Sequence, residues 1–261
     1  MSDTAVELYY RESGDPEAEP LILLHGLFGS SANWMGIARH LENTWRLIVP
    51  DLRNHGRSPH AEDMSYQAMA GDVIALMDRL GIGAVNLLGH SMGGKLAMVT
   101  ALLNGGRVNK LAVADASPVG YEHRFEAILS GLQSIELDKL TDREEAEQRL
   151  AETVDSRETR QYLLQNLLKQ SGAWTWRFNL SVLAREIETI TGFPDLSKQT
   201  FPGDVLFIHG GNSPYVKPEY QPAIRKLFPF ARIRMLPGAG HWVYAEQPEP
   251  FSQAVRNFLT A

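Results

Sequence analysis

The stretch LLGHSMGGKL, from Leu87 to Leu96, carries two chemistries in one run of ten residues. Gly89, Gly94 and Lys95 have the G-x-x-x-x-G-K spacing of a phosphate-binding loop. Gly89-His90-Ser91-Met92-Gly93 has the G-x-S-x-G spacing of a turn that presents a nucleophilic serine. The phosphate reading fails at Leu96. That position needs Ser or Thr to hold a magnesium ion, and an aliphatic side chain cannot ligate a metal. A second glycine pattern, Gly81-Ile82-Gly83-Ala84-Val85-Asn86, has Asn86 where its third glycine belongs. It also precedes the strand that it would have to follow. The serine reading keeps its context, because an apolar run (AVNLLG) ends at Ser91 and a helical pattern (MGGKLAMV) begins there.

A serine hydroxyl is a poor nucleophile until a base takes its proton. Of eight histidines, His241 in LPGAGHWVYAEQP follows the last strand-like run and precedes the last helical one. It satisfies the chain order Ser, acid, His of an elbow hydrolase, so it is the expected base. His25 and His55 sit beside glycines and read as braces of their loops, and His90 is the variable residue of the elbow. His209 closes a strand and reads as structural, and His40, His60 and His123 read as surface residues.

The acid is harder to place. Such enzymes usually carry it after the strand that here reads VLFIHGG, where this chain has Asn212 and Ser213. Neither side chain can stay anionic beside an imidazolium. The preceding strand-like run, LAVADASPVG, ends its apolar part at Asp115. A carboxylate closing an apolar strand is costly to bury without a partner, and a histidine N–H is such a partner. Asp115 is therefore the expected acid, with Asp195 and Asp204 as weaker alternatives. The oxyanion donors are expected to be the backbone N–H of Met92, just after the nucleophile, and that of Leu27 in LLHGLFGS, with Phe28 as runner-up. Phe28, Trp176, Tyr215 and Trp242 are candidates for an apolar substrate wall. Arg177 and Lys95 have the charge to meet a coenzyme A phosphate, although solvated or packing roles suit both.

These residues need a scaffold that gathers them at one edge. LILLHG, RLIVPD, AVNLLGHS, KLAVADAS and VLFIHGG are short apolar runs that stop at turn residues, as strands buried on both faces do. ELYYRESG reads as an early, partly exposed strand and ARIRMLPGAG as a last one. Between them lie helical patterns: SYQAMAGDVIALMDRLG with Gly81 at its end, MGGKLAMVTALLN, and PFSQAVRNFLTA. Alternating strands and helices predict a mostly parallel, doubly wound α/β sheet. From Val119 to Phe201 no strand run is expected, only helical segments such as TDREEAEQRLAETV and SRETRQYLLQNLLKQ. The expected organisation is a core of residues 1–118 and 202–261, with a helical lid of residues 119–201 inserted between two late strands.

Composition narrows the function further. A net charge of −6 with no long Lys/Arg cluster argues against a nucleic-acid surface. The absence of cysteine excludes disulfides and thiol chemistry. The N-terminal MSDTAVELYYRESG lacks a basic start and an apolar segment, and no apolar run approaches the roughly 20 residues that span a bilayer. A cytoplasmic protein without a membrane span is the expectation.

HGLFGS, DLRNHGRSPH, GHSMGGKLAM, DASPV, WRFNL and GGNSPYV together resemble the α/β-hydrolase superfamily along nearly the whole chain. They are most similar to an esterase branch whose acid sits one strand earlier than usual. The resemblance implies Ser91 as nucleophile, Asp115 as acid and His241 as base. It implies a serine esterase or thioesterase acting on a small acyl ester or thioester, with no cofactor and no metal. Short to medium acyl chains are expected from the aromatic residues that crowd these motifs.

Overall fold

A computed structural model describes residues 5–121 and 125–261. The chain runs through β1 (Tyr10–Ser13), β2 (Pro20–Leu24), α1 (Met35–Leu41), β3 (Arg46–Pro50), α2 (Tyr66–Arg79), β4 (Val85–His90), α3 (Met92–Leu103) and β5 (Val108–Ala114). An insert follows: α4 (Glu126–Ser134), α5 (Arg143–Ala151), α6 (Arg157–Leu164), β6 (Leu167–Gln170), β7 (Ala173–Trp176), α7 (Leu180–Arg185) and α8 (Ile187–Thr191). The sheet resumes with β8 (Asp204–Gly210), α9 (Gln221–Leu227), β9 (Ala231–Leu236), α10 (Val243–Glu246) and α11 (Pro248–Thr260).

Among the described residues, seven strands form one sheet in the order β1-β3-β2-β4-β5-β8-β9. Only the β1–β3 pair is antiparallel. The apolar runs read as buried on both faces because they are. In β2, Ile22 and Leu24 join the core under α2, α3 and the insert, while Leu21 and Leu23 join the core under α1 and α11. Leu111 and Val113 of β5 face the first core, and Ala112 and Ala114 the second. This is the period of two of a strand with both faces covered.

Helix α3 is buried from Met92 to Leu102, which explains why its sequence is apolar all round. Gly89 and Gly93 permit its approach to the sheet. A Cβ on Gly93 would lie 2.3 Å from the Leu24 carbonyl oxygen, and one on Gly89 would lie 2.0 Å from the Gly93 oxygen. Both contacts are with backbone, which cannot step aside as a flexible side chain can.

The insert departs from the expectation of helices alone. β6 and β7 pair as an antiparallel hairpin with Gln170 opposite Ala173. The two turn residues, Ser171 and Gly172, both have positive φ, 49° and 87°, as a two-residue hairpin turn requires. The helical pattern of SRETRQYLLQNLLKQ therefore stops at Leu164, and its last four residues become a strand. Periodicity misleads here because Leu163, Leu164 and Leu167 suit one face of a continued helix equally well.

Both stems of the insert meet at Lys95, the lysine of the phosphate-loop lookalike. Its buried ammonium donates to the carbonyls of Val119 (2.8 Å), Thr191 (2.5 Å) and Gly192 (2.7 Å), and lies 4.0 Å from the centre of the Tyr121 ring. Burial pushes its pKa down to about 7, while three carbonyl acceptors match the three N–H groups of the charged form. Lys95 is thus spent on backbone and does not reach out to a phosphate.

Candidate active site

The site is assembled at the carboxyl ends of β4, β5, β8 and β9, where open α/β sheets bind their ligands. Ser91 sits between β4 and α3 with φ 53° and ψ −117°, a conformation that side-chain-bearing residues hold only under constraint. Its N–H is fixed by the Ala114 carbonyl at 3.0 Å. The turn lifts Oγ clear of the sheet edge, where it donates to Nε2 of His241 at 3.1 Å. The other ring nitrogen, Nδ1, donates to Oδ2 of Asp115 at 2.6 Å. The carboxylate can only accept, so Nδ1 carries the proton and Nε2 is left free to accept one.

Asp115 is fully buried and has φ 50°. Its N–H is held by the Ile208 carbonyl of β8 at 2.8 Å. Ser213 donates its hydroxyl to Oδ2, the same oxygen that faces His241, and the Gly210 N–H approaches Oδ1 at 3.4 Å. The position that lacks an acid therefore supports the acid of the neighbouring strand. Asp195 and Asp204, the weaker alternatives, are exposed and engaged elsewhere, with the Ser197 N–H and Arg232.

The His241 loop is pinned from two sides. Glu246 accepts from the N–H groups of Gly240 (2.7 Å) and Trp242 (3.1 Å). His90 donates from Nε2 to the His241 carbonyl at 2.8 Å. His90 is thus more than a variable residue of the elbow, although nothing in GHSMG marks it as a partner of a loop 151 residues away.

The N–H groups of Leu27 and Met92 have no hydrogen-bond partner among the described residues. Met92 opens α3, whose first-turn N–H groups have no acceptor within the helix. Phe28, the runner-up donor, is excluded by geometry. Its N–H donates to Nε2 of His55 at 3.1 Å. His55 in turn donates from Nδ1 to the Arg53 carbonyl, and His25 accepts from the Leu52 N–H while donating to the Gly26 carbonyl. The two loop histidines are braces, as read from sequence. His60 is exposed, His40 is half-buried, His209 donates to the Gly210 carbonyl, and His123 lies outside the described residues.

Burial lowers the pKa of His25, His55 and His90, to about 3 for His55. A free histidine binds its proton below about 6.5. Between pH 6.5 and about 3 the unfolded chain therefore takes up a proton at residue 55 that the folded chain refuses. Stability present above pH 6.5 falls as pH falls, by about 1.4 kcal/mol per pH unit for each such group. Urea midpoints measured from pH 6.5 to 5 are expected to fall, and to fall less steeply in His55→Gln. Equal slopes in the two proteins would show that His55 is not held neutral.

A cavity of about 170 Å³ opens beside Ser91 and His241. Phe28, Tyr215 and Trp242 line it, as do Phe125, Ile128, Thr159, Tyr162 and Leu163 from the insert. Thr159, Tyr162 and Leu163 have i, i+3, i+4 spacing on α6, a signal present in the sequence but equally readable as packing. A smaller space of about 20 Å³ also touches Ser91 and is lined by Met92, Phe125 and Ile190. Trp176 lines neither. It stacks on Phe178 with ring centres 5.2 Å apart, and Phe178 packs against Phe28 at 5.1 Å, so Trp176 stands one layer behind the wall. Arg177 is also absent from the lining of both.

Fold and site together define a hydrolase of the esterase/lipase type. The chain belongs to the alpha/beta hydrolase fold family, whose model matches residues 19–248. It is 40% identical to the sn-1-specific diacylglycerol lipase ABHD11 of Xenopus laevis, over 98% of this chain and 84% of that one. It is 36% identical to the esterase YbfF of Escherichia coli K12, over 92% of each. Among solved structures, a marine microorganism esterase superposes with a TM-score of 0.93 at 36% identity, covering 97% of this chain and all of the other. No helix among the described residues is long and apolar enough to cross a membrane.

Proposed function

We propose that this chain is a serine carboxylic-ester hydrolase that works through an acyl-enzyme on short- to medium-chain acyl esters or thioesters. The observation that carries the reading is the continuous bond path from Ser91 Oγ through His241 to Asp115. In this reading Ser91 attacks the carbonyl carbon and His241 Nε2 takes its proton. Asp115 keeps the ring in the required tautomer and stabilises the imidazolium. The oxyanion is held by the N–H groups of Leu27 and Met92, which are free to donate. His241 then returns the proton to the departing alcohol or thiol. Water, deprotonated by the same nitrogen, releases the acid. An amine leaves less readily than an alcohol or thiol, so an amide would need more stabilisation at the transition state than an ester. The relatives named as esterases and as a diacylglycerol lipase support acyl esters as the substrate class.

Two measurements test the reading. Native protein is expected to react with a fluorophosphonate probe at Ser91 and to hydrolyse p-nitrophenyl butyrate. Across p-nitrophenyl esters of increasing length, each methylene that enters the apolar cavity is worth about fourfold in kcat/KM, from about 0.8 kcal/mol per buried CH₂. The gain is expected to stop before about ten carbons, once the cavity of about 170 Å³ is filled. Rates still climbing beyond that length would overturn the chain-length assignment, and failure to label or turn over would overturn the enzyme.

A further inference from the structure

The peptide linking Leu27 to Phe28 is gripped from opposite sides. Its carbonyl accepts from the Tyr162 hydroxyl at 2.9 Å, and its N–H donates to His55 at 3.1 Å. The next carbonyl, that of Phe28, accepts from Nδ2 of Asn166 at 2.7 Å. His55 belongs to the sheet core, whereas Tyr162 and Asn166 come from the insert, four residues apart on α6 and just beyond its end. Between the two gripped carbonyls Phe28 has φ 60°. A residue with a side chain keeps such a conformation only when its surroundings over-determine it. Here two of the groups that determine it belong to the insert.

Leu27 N–H lies one peptide before this grip, and it is one of the two donors assigned to the oxyanion. The peptide that carries it is held through the Gly26 carbonyl, which accepts from His25 Nδ1 at 2.8 Å and from the Gly29 N–H at 3.0 Å; the grip on the following peptide restrains the Leu27 torsions from the other end. We infer that Tyr162 and Asn166 are positioning residues, and that the insert holds the Leu27 donor in register with Ser91 as well as roofing the cavity. This rests on the hydrolase reading above. It adds that the oxyanion site is complete only while the insert is docked. Tyr162 is also fitted for this single bond, since its hydroxyl faces the loop closely enough that a Cβ on Gly29 would meet it at 2.8 Å.

Tyr162→Phe removes one hydroxyl and leaves the ring against Trp242, 5.5 Å away. On p-nitrophenyl acetate, which is too short to use the cavity, kcat is expected to fall about tenfold with KM within about twofold. That is a fraction of the roughly 10²–10³ lost with an entire oxyanion donor. Asn166→Ala is expected to act in the same direction. The discriminating readout is a trifluoromethyl ketone inhibitor. Ser91 Oγ bonds to its carbonyl carbon, the proton passes to His241, and the adduct oxygen becomes an oxyanion. Its inhibition constant is expected to rise by the same factor as kcat/KM falls. Two unaltered kcat values, or changes confined to KM and the melting temperature, would overturn the inference and leave both residues as mere anchors of the insert. Wild-type protein inert to both ester and ketone would overturn the hydrolase reading, and this inference with it.

Discussion

Ser91→Ala is expected to lower kcat/KM on p-nitrophenyl butyrate by roughly 10⁴–10⁶, the loss seen when a nucleophile is removed from a triad that acts as a unit. The hydroxyl oxygen is the atom that bonds to the substrate, and Nε2 of His241 lies beside it as the base. Thr159 also lines the cavity, but His241 places Nε2 at 3.1 Å from Ser91 and not from Thr159. Stability should change little. Alanine must adopt the same φ of 53°, which serine already tolerates, and the Ser91 N–H bond to Ala114 is retained. Rates measured on folded variant, with a melting curve beside them, separate loss of chemistry from loss of structure. Residual turnover within a hundredfold of wild type would mean that a different group attacks the ester.

The five central strands are legible because each is buried on both faces and reads as an apolar run ended by a turn residue. Leu21–Leu24 and Leu111–Ala114 need no knowledge of their neighbours to be recognised. The elbow was legible for a local reason too, since its glycines answer to atoms within a few residues or on the adjacent strand. What sequence could not supply is the pairing of distant groups. Tyr162 meets Leu27 across 135 residues, and Ser213 meets Asp115 across 98. A tyrosine on a short helix and a serine after a strand have many uses, and only the packed chain selects one. Lys95 illustrates the converse. Its phosphate-loop spacing already fails at Leu96 and a packing role suits it, yet only the packed chain shows that its partners are three carbonyls from the two stems of the insert. The hairpin from Leu167 to Trp176 is not legible in the sequence, because two residues with positive φ, Ser171 and Gly172, end a pattern that leucine spacing alone would continue.

Asp115→Asn is expected to lower kcat by about 10⁴, the scale of loss when a triad acid is neutralised without changing its shape. The amide is nearly isosteric, so the buried site should stay folded. Its chemistry is wrong in two ways. An imidazolium loses the negative charge 2.6 Å from Nδ1, and an amide NH₂ turned toward the ring favours the tautomer with Nε2 protonated, which cannot accept from Ser91. Ser213 sharpens the test. Its hydroxyl already donates to the oxygen that His241 uses, so a carboxylate placed there by Ser213→Asp would lie beside Asp115. Two carboxylates in contact cannot both stay ionised, and the single variant is expected to lose activity near neutral pH. In the double variant Asp115→Asn/Ser213→Asp, only one carboxylate remains, within reach of the same imidazole. Turnover is then expected to recover at least about tenfold over Asp115→Asn, since restoring one anion restores the imidazolium's partner. Such non-additivity ties both positions to one proton-bearing ring. An Asp115→Asn enzyme within tenfold of wild type would instead remove Asp115 from the proton path while leaving Ser91 as the nucleophile.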